Sequence, residues 1–418
     1  MSSEFLVAAL DIGSATTRAV IADVGGDLPR HPQVRILGVG QSRTLGLRRG
    51  VVSDIEETTI SIRQAVQEAE RMAGVAAGEF IVGIAGEHVR AMPSEGVVAI
   101  NGEEIVPADV QRANEIARAR HIPTDRELLH AIAQEYRVDQ HRGIRDPVGM
   151  VGTRLETEIY LVTIGSAPAM NLRKSIEKAG YQVKGLVLEP LASALSAIGE
   201  EEKELGVAVV ELGANSTELA VFHEGKIRHL ASVAVGGNTV TSDLVHGLAV
   251  SHADADALKE AYGCAYEPKV RGDTAVIAIP ASETQPERHV PRELMTHIVH
   301  QRMEELFELL QREMERSGHK AGVSAGVVLT GGGAQLDGVV ELASDVFGRT
   351  VRIGTPRTGL GGFAEKVADS SWCAAVGMVI YGAHQGAAQG TASRRLAAQG
   401  GGVDKLASKV KTWFQDFF

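Results

Sequence analysis

The sequence predicts an α/β protein made of two related halves that close on a shared cleft, and three observations carry that prediction. The stretch LVAALDIGSATTRAVIADV at residues 6–24 is an apolar strand, an acid, a turn of small and hydroxyl residues, and a second alternating strand. The same plan returns as GVAVVELGANSTELAVFHEGKI at residues 206–227. A third stretch, AGVVLTGGGAQLDGVVELASDVFG at 325–348, reads as a strand, a triple-glycine turn and an amphipathic helix. With 418 residues, 44% hydrophobic and 23% charged, the chain is long enough for two or three domains with real cores.

Composition narrows the functional class. A net charge of -11 argues against a nucleic-acid binder, which needs a basic face, and confines any contact with an anionic membrane to a local segment. The two cysteines, Cys264 and Cys373, have neither metal-ligand spacing nor a disulfide framework, so they read as small buried apolar residues in a reducing cytosol. The apolar start FLVAALDIG is too short for a signal peptide and lacks the basic lead, and no stretch reaches the roughly 18 apolar residues of a membrane span. The expectation is a chain that stays inside the cell.

Each hairpin has a chemical use. Small residues at the turns, Gly13, Ala15, Gly213, Ala214 and Asn215, let backbone N–H groups approach an anion, and Ser14, Thr16, Thr17, Ser216 and Thr217 add hydroxyl donors. The acids at the strand ends, Asp11 and Glu211, are the candidate catalytic carboxylates, and Asp11 is placed to hold Mg2+ through water. One such turn is ordinarily a plain hairpin; two facing each other would clamp a polyphosphate. Gly331, Gly332 and Gly333 let the chain pass flat against a planar ligand, which suits adenosine, although the spacing is neither a P-loop nor G-x-G-x-x-G.

The last part of the chain reads differently. Residues 383–402, rich in Gly, Ala, Gln and Ser, read as a flexible tether with a reach of about 25 Å. Beyond it, Val403, Leu406, Val410, Trp413, Phe414 and Phe417 form one stripe of a helix over 403–418, with Phe418 after it and Lys405, Lys409 and Lys411 on other faces. Such a helix fits the headgroup plane of a membrane. Half-burying the six apolar side chains gives a gross term of about 5–9 kcal/mol, more than the lysines supply once Asp404 and Asp416 offset them. Attachment by one such helix is marginal, so stable binding requires several tails on one assembly. Docking of the helix on the protein's own core is the alternative.

The order of hairpin, hairpin and glycine turn resembles that of the actin-like ATPase superfamily. EPLASALSAI at 189–198, VGGNTVTSDLVHGL at 235–248, LTGGGAQLDG at 329–338, WCAAVGMVIYG at 372–382 and the insert containing GIAGEHVRAMPSEGVVAI and ending at Thr163 narrow the resemblance to the FtsA family of bacterial cell-division proteins, over nearly the whole chain. The resemblance implies an actin-like, ribonuclease H-like duplicated fold. Its parts would be a first domain at 1–85 and 164–198, an inserted subdomain at 86–163, a second domain at 199–382 with a subdomain at about 237–325, the linker and the tail helix.

It also implies ATP with Mg2+ as ligand, with Arg18, Gly236, Gly237, Asn238 and Gln335 joining the turn residues at the nucleotide. Asp256 and Lys259 match the family's acid-x-x-lysine helix beside adenine and ribose, an exposed i, i+3 pair being the bland alternative; Arg18 is either a phosphate contact or an outward strand residue. The implied function is self-assembly into filaments that tether FtsZ to the cytoplasmic face of the inner membrane at the division septum and recruit later division proteins. Arg288, Arg292 and Arg302 are candidate contacts for the acidic FtsZ C-terminal tail, or plain solvated arginines. The second hairpin departs from the family pattern in Glu211, Ala214 and Asn215, where relatives usually carry aspartate and a glycine run. Phosphoryl transfer depends on positioning, so the expectation is weak hydrolysis or none. A kinase or chaperone-type ATPase of the same superfamily is the alternative function, but no second-substrate constellation or substrate domain is evident.

Overall fold

The computed structural model describes residues 5–27, 31–281, 286–316, 318, 322–357 and 359–399. The chain opens with an antiparallel meander, β1 (Phe5–Ile12), β2 (Thr16–Asp27) and β3 (His31–Arg43), followed by the short pair β4 (Leu47–Arg48) and β5 (Val51–Val52), α1 (Ile55–Ala73) and β6 (Glu79–Ile84). β1 and β6 are nearly continuous apolar runs because both faces of their sheet are covered. Local signals fix the bounds of α1: the Asp54 carboxylate accepts from the Glu57 N–H at its start, and Gly74 turns left-handed at φ 69° to end it.

The insert follows as β7 (Arg90–Ala99), α2 (Pro107–Arg118), β8 (Arg126–Val138), β9 (His141–Ile144) and β10 (Arg154–Gly165). Its strands form their own antiparallel sheet in the order β7-β10-β8-β9, over a small core that includes Val98, Ile105, Ala113 and Leu155. The chain then returns to the first sheet through α3 (Ser166–Ala179) and β11 (Gln182–Leu188) and turns into α4 (Glu189–Ala197).

The second domain contains α5 (Glu200–Leu205), β12 (Val207–Leu212), β13 (Thr217–His223), β14 (Lys226–Val233), α6 (Gly237–Leu248), α7 (His252–Tyr262), β15 (Val276–Ile279), β16 (Arg288–Pro291), α8 (Arg292–Arg316), β17 (Val327–Thr330), α9 (Val339–Phe347) and β18 (Val351–Ile353). Its sheet runs β14-β13-β12-β17-β18, and the first runs β3-β2-β1-β6-β11. In both, three antiparallel strands are followed by two parallel ones, so the duplication read from two hairpins extends to whole sheets.

Two expected boundaries shift. The second domain was to run to residue 382, but β19 (Leu360–Gly362) pairs in parallel with β3, and α10 (Cys373–Gln399) packs on α4 and β1. The closing segment therefore belongs to the first domain. Gly377 permits the approach: a Cβ there would lie 1.7 Å from the Ala192 carbonyl oxygen. The tether was to begin at 383, yet α10 continues through Gln399, with Ala383 and His384 still buried. The alanines, Gln385 and Gln389 are good helix formers, and the preceding packed turns nucleate what the glycines disfavour. The tail helix expected at 403–418 lies outside the described residues. Both cysteines are buried, as expected.

Candidate functional site

Both hairpin turns face one cleft of about 1130 Å3 between the two domains. In the first turn the Gly13 N–H donates to the Thr16 carbonyl, 3.2 Å, and in the second the Gly213 N–H donates to Ser216, 3.1 Å. The second turn is stitched to the start of α6: the N–H groups of Gly237 and Asn238 donate to the carbonyls of Gly213 and Ala214 at 3.0 and 2.7 Å. The Asn238 amide also donates to the Asn215 side-chain oxygen at 2.8 Å, so Asn215 ties turn to helix. Gly236 has no room for a side chain; a Cβ would lie 2.6 Å from the Gly213 carbonyl.

Of the predicted residues, Asp11, Gly13, Ser14, Ala15, Thr16 and Arg18 line the first wall, and Glu211, Gly213, Ala214, Asn215, Ser216 and Asn238 the second. The glycine turn contributes Gly331, Gly332, Gly333 and Gln335, and α7 contributes Asp256 and Lys259. Gly331 is anchored by its N–H to the Ser370 carbonyl, 3.0 Å, and Gln335 by its amide to Asp369, 3.0 Å. Thr17 and Thr217 are buried behind the turns instead, bonded to Thr44 and to the Val235 carbonyl, and Gly236 and Gly237 sit behind the second turn. Lys259 reaches Asp256 and the Thr241 hydroxyl, each at 2.7 Å, so the pair on α7 borders the cleft and is not merely solvated.

The floor is a cluster of carboxyls around one arginine. Arg18 lines the cleft, so the outward alternative falls; its guanidinium lies 3.8 Å from Asp11 and 5.6 Å over the Trp372 ring. Burial raises Asp11 to about 6, with Arg18 pulling the other way. Burial and then Glu218 raise Glu211 to about 8, and Glu211 Oε2 has no hydrogen-bond partner among the described residues. Burial raises Glu218 to about 7 against hydrogen bonds from Ser216 and Ser232. Glu189, part-buried at the start of α4, is pushed well above the usual carboxylate range by desolvation and by the other three acids.

Sequence reasoning missed Glu189 and Glu218, and the second was within reach. Register places Asp11 opposite Arg18 in the first hairpin and Glu211 opposite Glu218 in the second. The arginine of one hairpin thus has a glutamate as its counterpart in the other, and directly opposed like charges are unfavourable. Counting seven residues on from each acid would have shown it.

The three arginines assigned to a peptide face have different surroundings. Arg288 donates to the Leu248 carbonyl, Arg302 is held by both oxygens of Asp243 and by Glu305, and Arg292 borders the cleft. No described helix is long and apolar enough to cross a membrane, and no group of three or more His, Cys, Asp and Glu among the described residues is arranged to hold a metal.

Comparison with known proteins places this architecture. Residues 208–377 match the family model "Cell division protein FtsA" and residues 86–163 match "SHS2 domain inserted in FTSA", the bounds expected for the insert. The cell division protein FtsA of Pseudomonas aeruginosa is 38% identical over 90% of this chain and 89% of its own length, and that of Escherichia coli K12 is 33% identical over 98% of both. Among solved structures, the PilM-PilN type IV pilus biogenesis complex aligns with a TM-score of 0.63 at 16% identity, covering 90% of this chain and 98% of that one. MreB5 of Spiroplasma citri bound to ADP gives 0.53 at 13%, covering 90% and 95%, and the MamK double helical filament 0.51 at 12%, covering 90% and 98%. The fold is actin-like with an SHS2 insert, and the chain belongs to the FtsA family of cell-division proteins.

Proposed function

We propose that this chain binds ATP with Mg2+ in the interdomain cleft, self-assembles, and tethers FtsZ filaments to the cytoplasmic face of the inner membrane at the septum while recruiting later division proteins. The observation that carries the reading is the convergence of two equivalent turns and a glycine turn on one cleft. The donor set suits the ligand. Backbone N–H groups and hydroxyls of Ser14, Thr16 and Ser216 serve the phosphates, Lys259 and Asp256 flank the nucleoside, and the Asp11 carboxylate suits a hydrated cation. Mg2+ supplies charge neutralisation at the phosphates when bound.

Weak turnover fits the same residues. Glu211 lies opposite Glu218 and holds its proton more tightly than a free carboxyl, which blunts any role in orienting water. Filament formation is supported by the family and by the filament-forming MamK neighbour. Membrane attachment rests on the apolar stripe Val403, Leu406, Val410, Trp413, Phe414, Phe417 and Phe418, and FtsZ-tail capture on Arg288 and Arg302, whose present partners would have to be exchanged for tail carboxylates.

Sedimentation with vesicles containing anionic lipid tests the reading. The full chain should pellet with vesicles and carry FtsZ filaments down with it, and a chain lacking residues 405–418 should do neither. Equal pelleting of the two chains would refute the adaptor.

A further inference from the structure

The cleft holds a cation that neither the turns nor Lys259 accounts for. Arg292 opens α8, and by sequence it groups with Arg288 and Arg302; in the fold only Arg292 of the three borders the cleft. Tyr262 and Gly263 at the end of α7 and Leu336 and Asp337 just past the glycine turn line the same cleft. Its charge is felt at Cys264 and Asp337, on the side of the cleft assigned to the nucleoside.

Pairing within the protein leaves this guanidinium short of acceptors. Nη1 reaches Asp273 at only 3.4 Å, and Nε is buried without a hydrogen-bond partner among the described residues. Arginine cannot relieve the deficit by losing a proton, so an acceptor is the remedy. A planar guanidinium also lies well against an aromatic plane, and half-exposed Tyr262 is among the residues lining the cleft. A nucleoside supplies both an aromatic plane and in-plane or hydroxyl acceptors. An acidic peptide fits less well, because Asp273 and Asp337 beside Arg292 would repel it.

We propose that Arg292 is a nucleoside-binding residue, donating to and lying against the purine and ribose of the bound nucleotide. The proposal rests on the cleft being the nucleotide site. The test is equilibrium binding of ATP, ADP and inorganic tripolyphosphate, and of an acidic FtsZ-tail peptide, to the full chain and to its Arg292→Gln and Arg292→Lys variants, with thermal melting to check folding. Arg292→Gln should weaken ATP and ADP alike by about tenfold, the size of one charge-assisted hydrogen bond, and leave tripolyphosphate and peptide unchanged. Arg292→Lys, which keeps the charge and loses the plane, should recover only part of the loss. Unchanged ATP affinity in Arg292→Gln, an equal loss for tripolyphosphate, or a loss confined to the peptide would each overturn the assignment. If the unmodified chain bound neither ATP nor ADP, the nucleotide reading itself would fall and take this proposal with it.

Discussion

His130 shows how much a single residue joins. It lies on β8 of the insert, its Nε2 accepts the buried N–H of Leu188 at 3.1 Å, and its ring packs edge-on against Tyr381 of α10. Leu188 precedes Glu189, so one imidazole supports the floor of the cleft from the insert. Burial lowers its pKa from 6.5 to about 4. A histidine with a depressed folded pKa contributes stability that is present above the unfolded value and lost as pH falls. Between pH 6.5 and 4 the chain should lose up to about 3 kcal/mol through this group, and His130→Gln should flatten that part of a urea-denaturation pH series. Glu211 gives a second residue-scale prediction. Phosphate release from ATP should be slow or absent in the unmodified chain, and Glu211→Asp, which withdraws the carboxyl by one methylene, should change it by on the order of tenfold to a hundredfold. Rapid turnover by the unmodified chain would contradict the role given to the longer acid.

At the scale of elements, close backbone approaches decide which substitutions matter. Gly236→Ala would drive a Cβ to 2.6 Å from the Gly213 carbonyl and prise α6 off the second turn. ATP affinity should fall by more than tenfold while the melting midpoint drops only a few degrees. Gly377→Ala forces α10 away from α4 and should cost about 1–3 kcal/mol in denaturant unfolding. The elements most legible in the sequence were those with a dense local signal: the two hairpins, the triple-glycine turn, and an insert whose expected bounds coincide with the matched domain at 86–163. Long-range pairings were not legible. Nothing local in Leu360–Gly362 announces that it joins β3, some three hundred residues upstream. The opposition of Glu211 and Glu218 needed register as well as composition, and Gly386 and Gly390 read as tether in a segment that continues as helix.

At the scale of the molecule, one apolar core runs from the first sheet through α10 and α4 to Val207, Ala220 and Phe222 of the second. The insert is bonded to both halves: His130 to Leu188 in the first and Arg145 to Glu204 at 2.7 Å in the second. Cleft and insert are thus parts of one packed body. The role proposed for the cleft depends on its ligand being a nucleotide held by both turns. The most direct measurement is titration of the full chain with ATP in the presence of Mg2+, alongside Gly236→Ala. Saturable binding at one site per chain, sharply weakened by the substitution, is the predicted result; no binding, or identical binding by the two chains, would contradict it.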